Sequence, residues 1–318
     1  MLSRVAENLY WIGRYVERAE NAARLLDDGF HFELDAGGLA GEAHEPGPVD
    51  SVLSILACRD AFQPDAELKN RDAVLRFLTF DRQKDHSILG MIGRARENGR
   101  GSQETLSAET WSQINRLYLY LSGPRAQNRF QSSPSRFFDS IKRGCILFAG
   151  LVDSTLPRME AFHFLHVGRY LERADTISRI VNVKFQKLAE GDLSAGPLHT
   201  IYWTSLLRSC SAYEAYLKEH KDSIQSKSVI RYLVLEPDFP RAIRFCIARC
   251  LESLRELSEG DGDEYRSEAE RLLGRLDGEL RYMDIDEMFP HRLAPFLSEV
   301  QDACNRVGQA MQQRYFLT

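Results

Sequence analysis

Val5, Leu9, Ile12, Val16, Ala19, Ala23, Leu26 and Phe30 recur at alternating spacings of four and three residues. That rhythm lines one face of an α-helix and, sustained for roughly eight turns, demands a partner surface of equal length. Ser3 supplies an N-cap. The rhythm returns in Phe164, Val167, Leu171, Ala174, Ser178, Val181 and Phe185, on a second helix that begins near Pro157. Each helix would run about 45 Å at ~1.5 Å per residue, long enough to form the spine of a bundle.

The two segments are also related residue by residue. An offset of 155 lays Tyr10–Leu26 over Leu165–Val181 with seven identities in 17 positions, where unrelated segments share about one or two. The same offset pairs Arg76, Phe77 and Leu78 with Arg231, Tyr232 and Leu233, and Ile88, Ile92 and Arg94 with Ile243, Ile247 and Arg249. An offset of 154 pairs Ser51, Val52, Leu53, Ala61 and Phe62 with Ser205, Leu206, Leu207, Ala215 and Tyr216. Agreement in register over most of each half points to an internal duplication. The expected architecture is an all-α helical bundle of two pseudo-symmetric halves, 1–155 and 156–318, packed together as one domain about a pseudo-twofold.

Helical periods predict segments at 3–33, 48–61, 70–78, 87–99, 107–121 and 134–151 in the first half. In the second half they predict 157–190, 198–219, 225–233, 240–258, 263–283 and 292–314. Glycine, proline and acidic residues mark loops at 35–48, 122–134 and 258–263, and the run YLVLEP at 232–237 is the one strand-like stretch. With 41 basic and 46 acidic residues the net charge is −5, which argues against a dedicated nucleic-acid or anionic-membrane surface. No apolar run approaches the roughly 20 residues of a spanning helix, and Arg4, Glu7 and Arg14 interrupt any signal-peptide core. Six cysteines without a CxxC pair read as buried thiols of a cytoplasmic protein.

Charges repeat along with the packing residues. Arg14, Glu17 and Arg18 match Arg169, Glu172 and Arg173, and Gly13 matches Gly168. The trio lies off the main apolar stripe, yet Tyr10 and Leu25 share its sector on the first helix and Phe162, Leu165, Ile180 and Val183 share it on the second. Charges set among apolar residues on a buried line must pair, because an isolated ion in low dielectric costs several kcal/mol. Three roles are open. The glutamates pair with arginines as a structural network between the halves; the arginines bind a carboxylate, phosphate or peptide terminus with their planar forks; or Glu17 and Glu172 act as general acid-base groups. A glycine inside a helix costs about 1 kcal/mol, so Gly13 and Gly168 mark close helix approach.

GRYVERAE and GRYLERAD, with the longer ENLYWIGRYVERAENAARLL, resemble the alpha-E family of helical domains, which is described by its Glu-Arg motif; the similarity covers nearly the whole chain. VLEPDFPRAIRFC resembles that family's second-half segment, with Ala242 where serine is common. The first-half counterpart, FDRQKDHSILGMIGRARENGR, lacks the usual Asn-Pro before its serine. The resemblance implies an accessory partner of ATP-grasp ligases, with transglutaminase-like proteins as further associates. Arg241, beside Pro240, would stand at a helix start able to receive an anion. Glu160 with His163 has the spacing of a dimetal bundle site, but Glu160 aligns with Val5, so no second copy exists and no metal is expected. GxxxxGK[ST] and GxGxxG loops are absent, so no cofactor is expected and any nucleotide would belong to a partner.

Overall fold

The computed structural model describes residues 1–36, 48–63, 70–82, 85–190, 197–220, 224–258 and 265–317. Most of the loops expected at 35–48 and 258–263 lie outside the described residues. Among the described residues all regular secondary structure is helical, with no strand. The first seven helices are α1 (Ser3–Ala36), α2 (Pro48–Ile55), α3 (Asn70–Phe80), α4 (Ile88–Arg100), α5 (Ala108–Ser122), α6 (Pro124–Ser132) and α7 (Pro134–Thr155). They are followed by α8 (Glu160–Glu190), α9 (Pro197–Ser209), α10 (Tyr213–Glu219), α11 (Ser226–Leu235), α12 (Ile243–Leu257), α13 (Glu268–Tyr282), α14 (Ile285–Met288) and α15 (Leu293–Met311).

The two long helices, α1 and α8, pack against each other through Gly13 and Gly168. A Cβ on Gly13 would run into the backbone of Leu165 and Arg169, and one on Gly168 into the backbone of Tyr10 and Arg14. Backbones meet where the side chains stop at hydrogen, which explains why each helix accepts the cost of an internal glycine. Around α1 stand α4, α5 and α7; around α8 stand α12, α13 and α15. In both groups the first helix packs on the second and fourth, and the third touches the second and fourth as well. The heptad-like stripes fill the joint core: Leu9, Ile12, Ala19 and Ala23 of α1 and Val167, Leu171, Ala174 and Val181 of α8 are all buried.

Three expectations need correction. The strand-like run at 232–237 belongs mostly to α11, because Tyr232, Leu233, Val234 and Leu235 are buried within a helix packed on α8, α9, α12 and α13; tertiary burial overrides the local β preference. The expected loop at 122–134 is largely α6, which Pro124 opens at its first turn and which Ala126 and Phe130 anchor, the latter ring against Phe80, Phe137 and Phe138. The single helices expected at 48–61 and 198–219 each break. Ala57 and Ser211 adopt left-handed φ values of 51° and 53°. The next amides reach back five residues, Cys58 N–H to the Leu53 carbonyl at 3.0 Å and Ala212 N–H to the Leu207 carbonyl at 2.7 Å, closing Schellman-type ends. Neither breaker is glycine or proline, so composition gave no warning. No described helix is long and apolar enough to cross a membrane.

Candidate functional site

Glu17 projects from α1 toward α8, and Glu172 from α8 toward α1. Arg173 grips Glu17 with both branches of its fork, Nε to Oε1 and Nη2 to Oε2, each at 2.7 Å. Arg241, from the turn before α12, adds a longer contact to the same carboxylate at 3.4 Å. In the reciprocal arrangement Arg18 grips Glu172 at 2.6 and 2.8 Å, and Arg14 Nε donates to its Oε2 at 2.5 Å. Each motif glutamate thus belongs to one long helix and is held by arginine from the other. Such charge-assisted bidentate pairs fix both distance and orientation.

Around this core sits a layer the sequence did not announce. Arg241 donates to Glu20 at 2.5 Å and to Asn21 Oδ1 at 2.9 Å, and Glu20 also receives Arg24. Arg14 donates to the Tyr10 hydroxyl at 2.7 Å, and Arg173 to the Pro240 carbonyl at 3.1 Å. Glu20 lies one helical turn beyond Glu17 on the same side of α1, and that spacing, with its acidic match at the 155 offset, is the signal that could have found it. At the 155 offset Glu20 corresponds to Asp175 and Arg24 to Arg179, and that pair also forms, Arg179 Nε to Asp175 at 3.0 Å. Arg241 has no such counterpart, because the matching position is His86. Asp175 keeps one buried oxygen without a hydrogen bond, and burial pushes its carboxyl upward despite Arg179.

Electrostatics follow from this pairing. Burial opposes ionisation of Glu17, yet Arg173 and Arg241 outweigh it and hold the carboxyl at about 2. For Glu172 burial is likewise outweighed, by Arg18 and Arg14, again giving about 2. Burial lowers Arg173, but Glu17 overrides it and the guanidinium stays charged. Arg241 moves the other way, pulled down by burial and by the Arg173 charge against the pull of Glu20.

The remaining motif arginine, Arg169, stands apart. Its offset partner Arg14 holds Glu172, but Arg169 donates to Asp153 at 3.3 Å, beside His166, which meets the same carboxylate at 2.8 Å. The Arg169 Nε is buried without a hydrogen-bond partner. It borders a cavity of about 20 Å³ lined by Gly13, Glu17, Glu20, Cys145 and His166, room for about one water. The expectation that Arg241 opens a helix is corrected: α12 starts at Ile243, and Arg241 turns inward to the glutamates. Glu160 is exposed and pairs with the N-terminal ammonium at 3.1 Å, while Asp28 accepts from Ser205 and Ser209. Among the described residues no group of three or more His, Cys, Asp or Glu is placed to hold a metal. All six thiols are buried, and burial pushes Cys210 and Cys246 up to about 12.

A family model described as a predicted alpha-helical domain with a conserved ER motif matches residues 1–316. The chain belongs to the Alpha-E family. Two curated relatives are uncharacterized proteins of Mycobacterium bovis and Mycobacterium tuberculosis; each is 18% identical over 302 residues, covering 90% of this chain and 33% of the relative. The Alpha-E chain therefore spans about a third of the length of the curated relatives it matches. No solved structure matches it.

Proposed function

We propose that this Alpha-E chain is a non-catalytic accessory protein, and that its Glu-Arg network is a lock holding two duplicated helical halves in one domain. The observation carrying this reading is the reciprocal engagement of both glutamates, each 3% exposed in its side chain and each held by two arginines. A carboxylate held at about 2 is almost never protonated near neutrality and is a weak proton acceptor, which disfavours the general-base alternative for Glu17 and Glu172. Anion capture by Arg14, Arg18, Arg173 and Arg241 is disfavoured too, since each gives guanidinium N–H groups to protein acceptors. Offset sequence identities, reciprocal glycine contacts and matching helix groups support the duplication.

The partner class is an ATP-grasp amide or peptide ligase, with a transglutaminase-like protein as a second associate, and it rests on the family resemblance alone. A cytoplasmic location is part of the proposal and is supported by six free, buried cysteines, as a reducing compartment allows. Co-expression with an ATP-grasp ligase encoded beside the chain tests the partner class. A complex that survives size-exclusion at micromolar concentration is expected; separate elution with and without ATP contradicts the proposal.

A further inference from the structure

A groove of about 510 Å³ opens among α1, α4 and α5 and shares no lining residue with the Glu-Arg network. It is lined by Tyr15, Tyr118, Arg82, Arg94 and the single acid Glu97, and by Gly90 and Gly93, one turn apart on α4. The volume falls within the ~300–1,000 Å³ of small-molecule sites.

The second half shows what such a frame accommodates. At the 155 offset Tyr15 corresponds to Tyr170, Arg94 to Arg249, Gly93 to Ala248 and Gly90 to Phe245. The Phe245 ring lies 6.1 Å from the Tyr170 ring, and the Arg249 guanidinium lies over Phe245 at 5.2 Å from its centroid. One half thus carries a phenyl ring between a tyrosine and an arginine; in the other the corresponding tyrosine, arginine and glycine all line the groove. Aromatic and cation–π contacts of this kind are favourable beyond the burial of apolar area.

Charge supplies the rest of the ligand. Arg82 gives one Nη to the Ser122 carbonyl at 3.2 Å and Arg94 gives its Nε to Asp85; their other N–H groups make no hydrogen bond to a described residue. Arginine forks favour carboxylates. We propose that the groove binds an aromatic amino acid, free or at a peptide C-terminus, with its ring against Tyr15 and Arg94 as Phe245 lies against Tyr170 and Arg249, and its carboxylate at Arg82. This does not depend on the accessory reading above.

Saturation-transfer NMR titration of the full chain with N-acetyl-L-phenylalaninate tests the proposal, alongside its carboxamide, a Gly-Gly-Phe peptide and AMP. Saturable binding of the carboxylate, weakened tenfold or more in the carboxamide, is expected; tighter binding of the tripeptide assigns a peptide terminus, and weaker binding assigns the free amino acid. Gly93→Leu should abolish binding with a melting temperature near that of wild type, since its Cβ would stand at an ordinary 3.4 Å from the Tyr118 ring. Should that variant not fold, Arg82→Gln serves at an exposed position, and it should remove the preference for the carboxylate over the carboxamide. Absence of saturation at millimolar probe, binding indifferent to the blocking variant, or binding of AMP alone overturns the assignment.

Discussion

At the scale of single residues, the chemistry of Glu17 and Glu172 is decided by what surrounds them. Isolated in the core, either carboxylate would be neutralised; two arginines apiece keep both charged. A folded-state value of about 2, below the ordinary 4.5, means the native state binds these protons less readily than the unfolded chain. Their contribution to stability is therefore complete above about 4.5 and is lost as pH falls toward about 2. Urea unfolding measured from pH 6 down to pH 2.5 should show stability falling most steeply below pH 4.5, and a flat profile through that range contradicts the pairing. Asp175 contributes with the opposite sign, since its raised carboxyl favours the fold more at low pH than at high. Repetition of the motif made the paired charges legible in sequence. Which arginine meets which glutamate was not, because Arg241 reaches Glu17 and Glu20 across more than two hundred residues and Arg169 leaves the pattern for Asp153.

At the scale of helices, the contact between α1 and α8 depends on two missing methyl groups. Gly168→Ala would force a Cβ into the Tyr10 carbonyl, a rigid neighbour, so the helices must separate and the bidentate pairs must lengthen. The expected loss is about 3 kcal/mol or more, at the upper end of ordinary overpacking, read as a lower urea midpoint. A midpoint unchanged from wild type would show that α1 and α8 do not meet there. Periodicity gave these helices and most of their neighbours, because a buried face imposes its spacing on the sequence. It did not give the breaks at Ala57 and Ser211, where an ordinary residue takes a left-handed conformation and hydrogen bonds to the preceding turn decide the end. Nor did it give α6, which is anchored by Ala126 and by a cluster of phenylalanines from three helices.

At the scale of the whole molecule, two groups of four helices share a seam in which packing and charge are inseparable. Close glycine approach brings the arginine forks within reach, and the forks in turn fix the register of α1 against α8. Breaking one partner of a buried pair leaves uncompensated charge and costs about 3–5 kcal/mol, whereas a glutamate kept for chemistry is replaced by glutamine with little structural effect. The direct test is equilibrium urea unfolding of Glu172→Gln beside wild type at pH 7. A loss of about 3 kcal/mol or more is predicted, as Arg14 and Arg18 lose their shared counter-charge. Stability within about 0.5 kcal/mol of wild type would contradict the lock and return Glu172 to the candidates for catalysis.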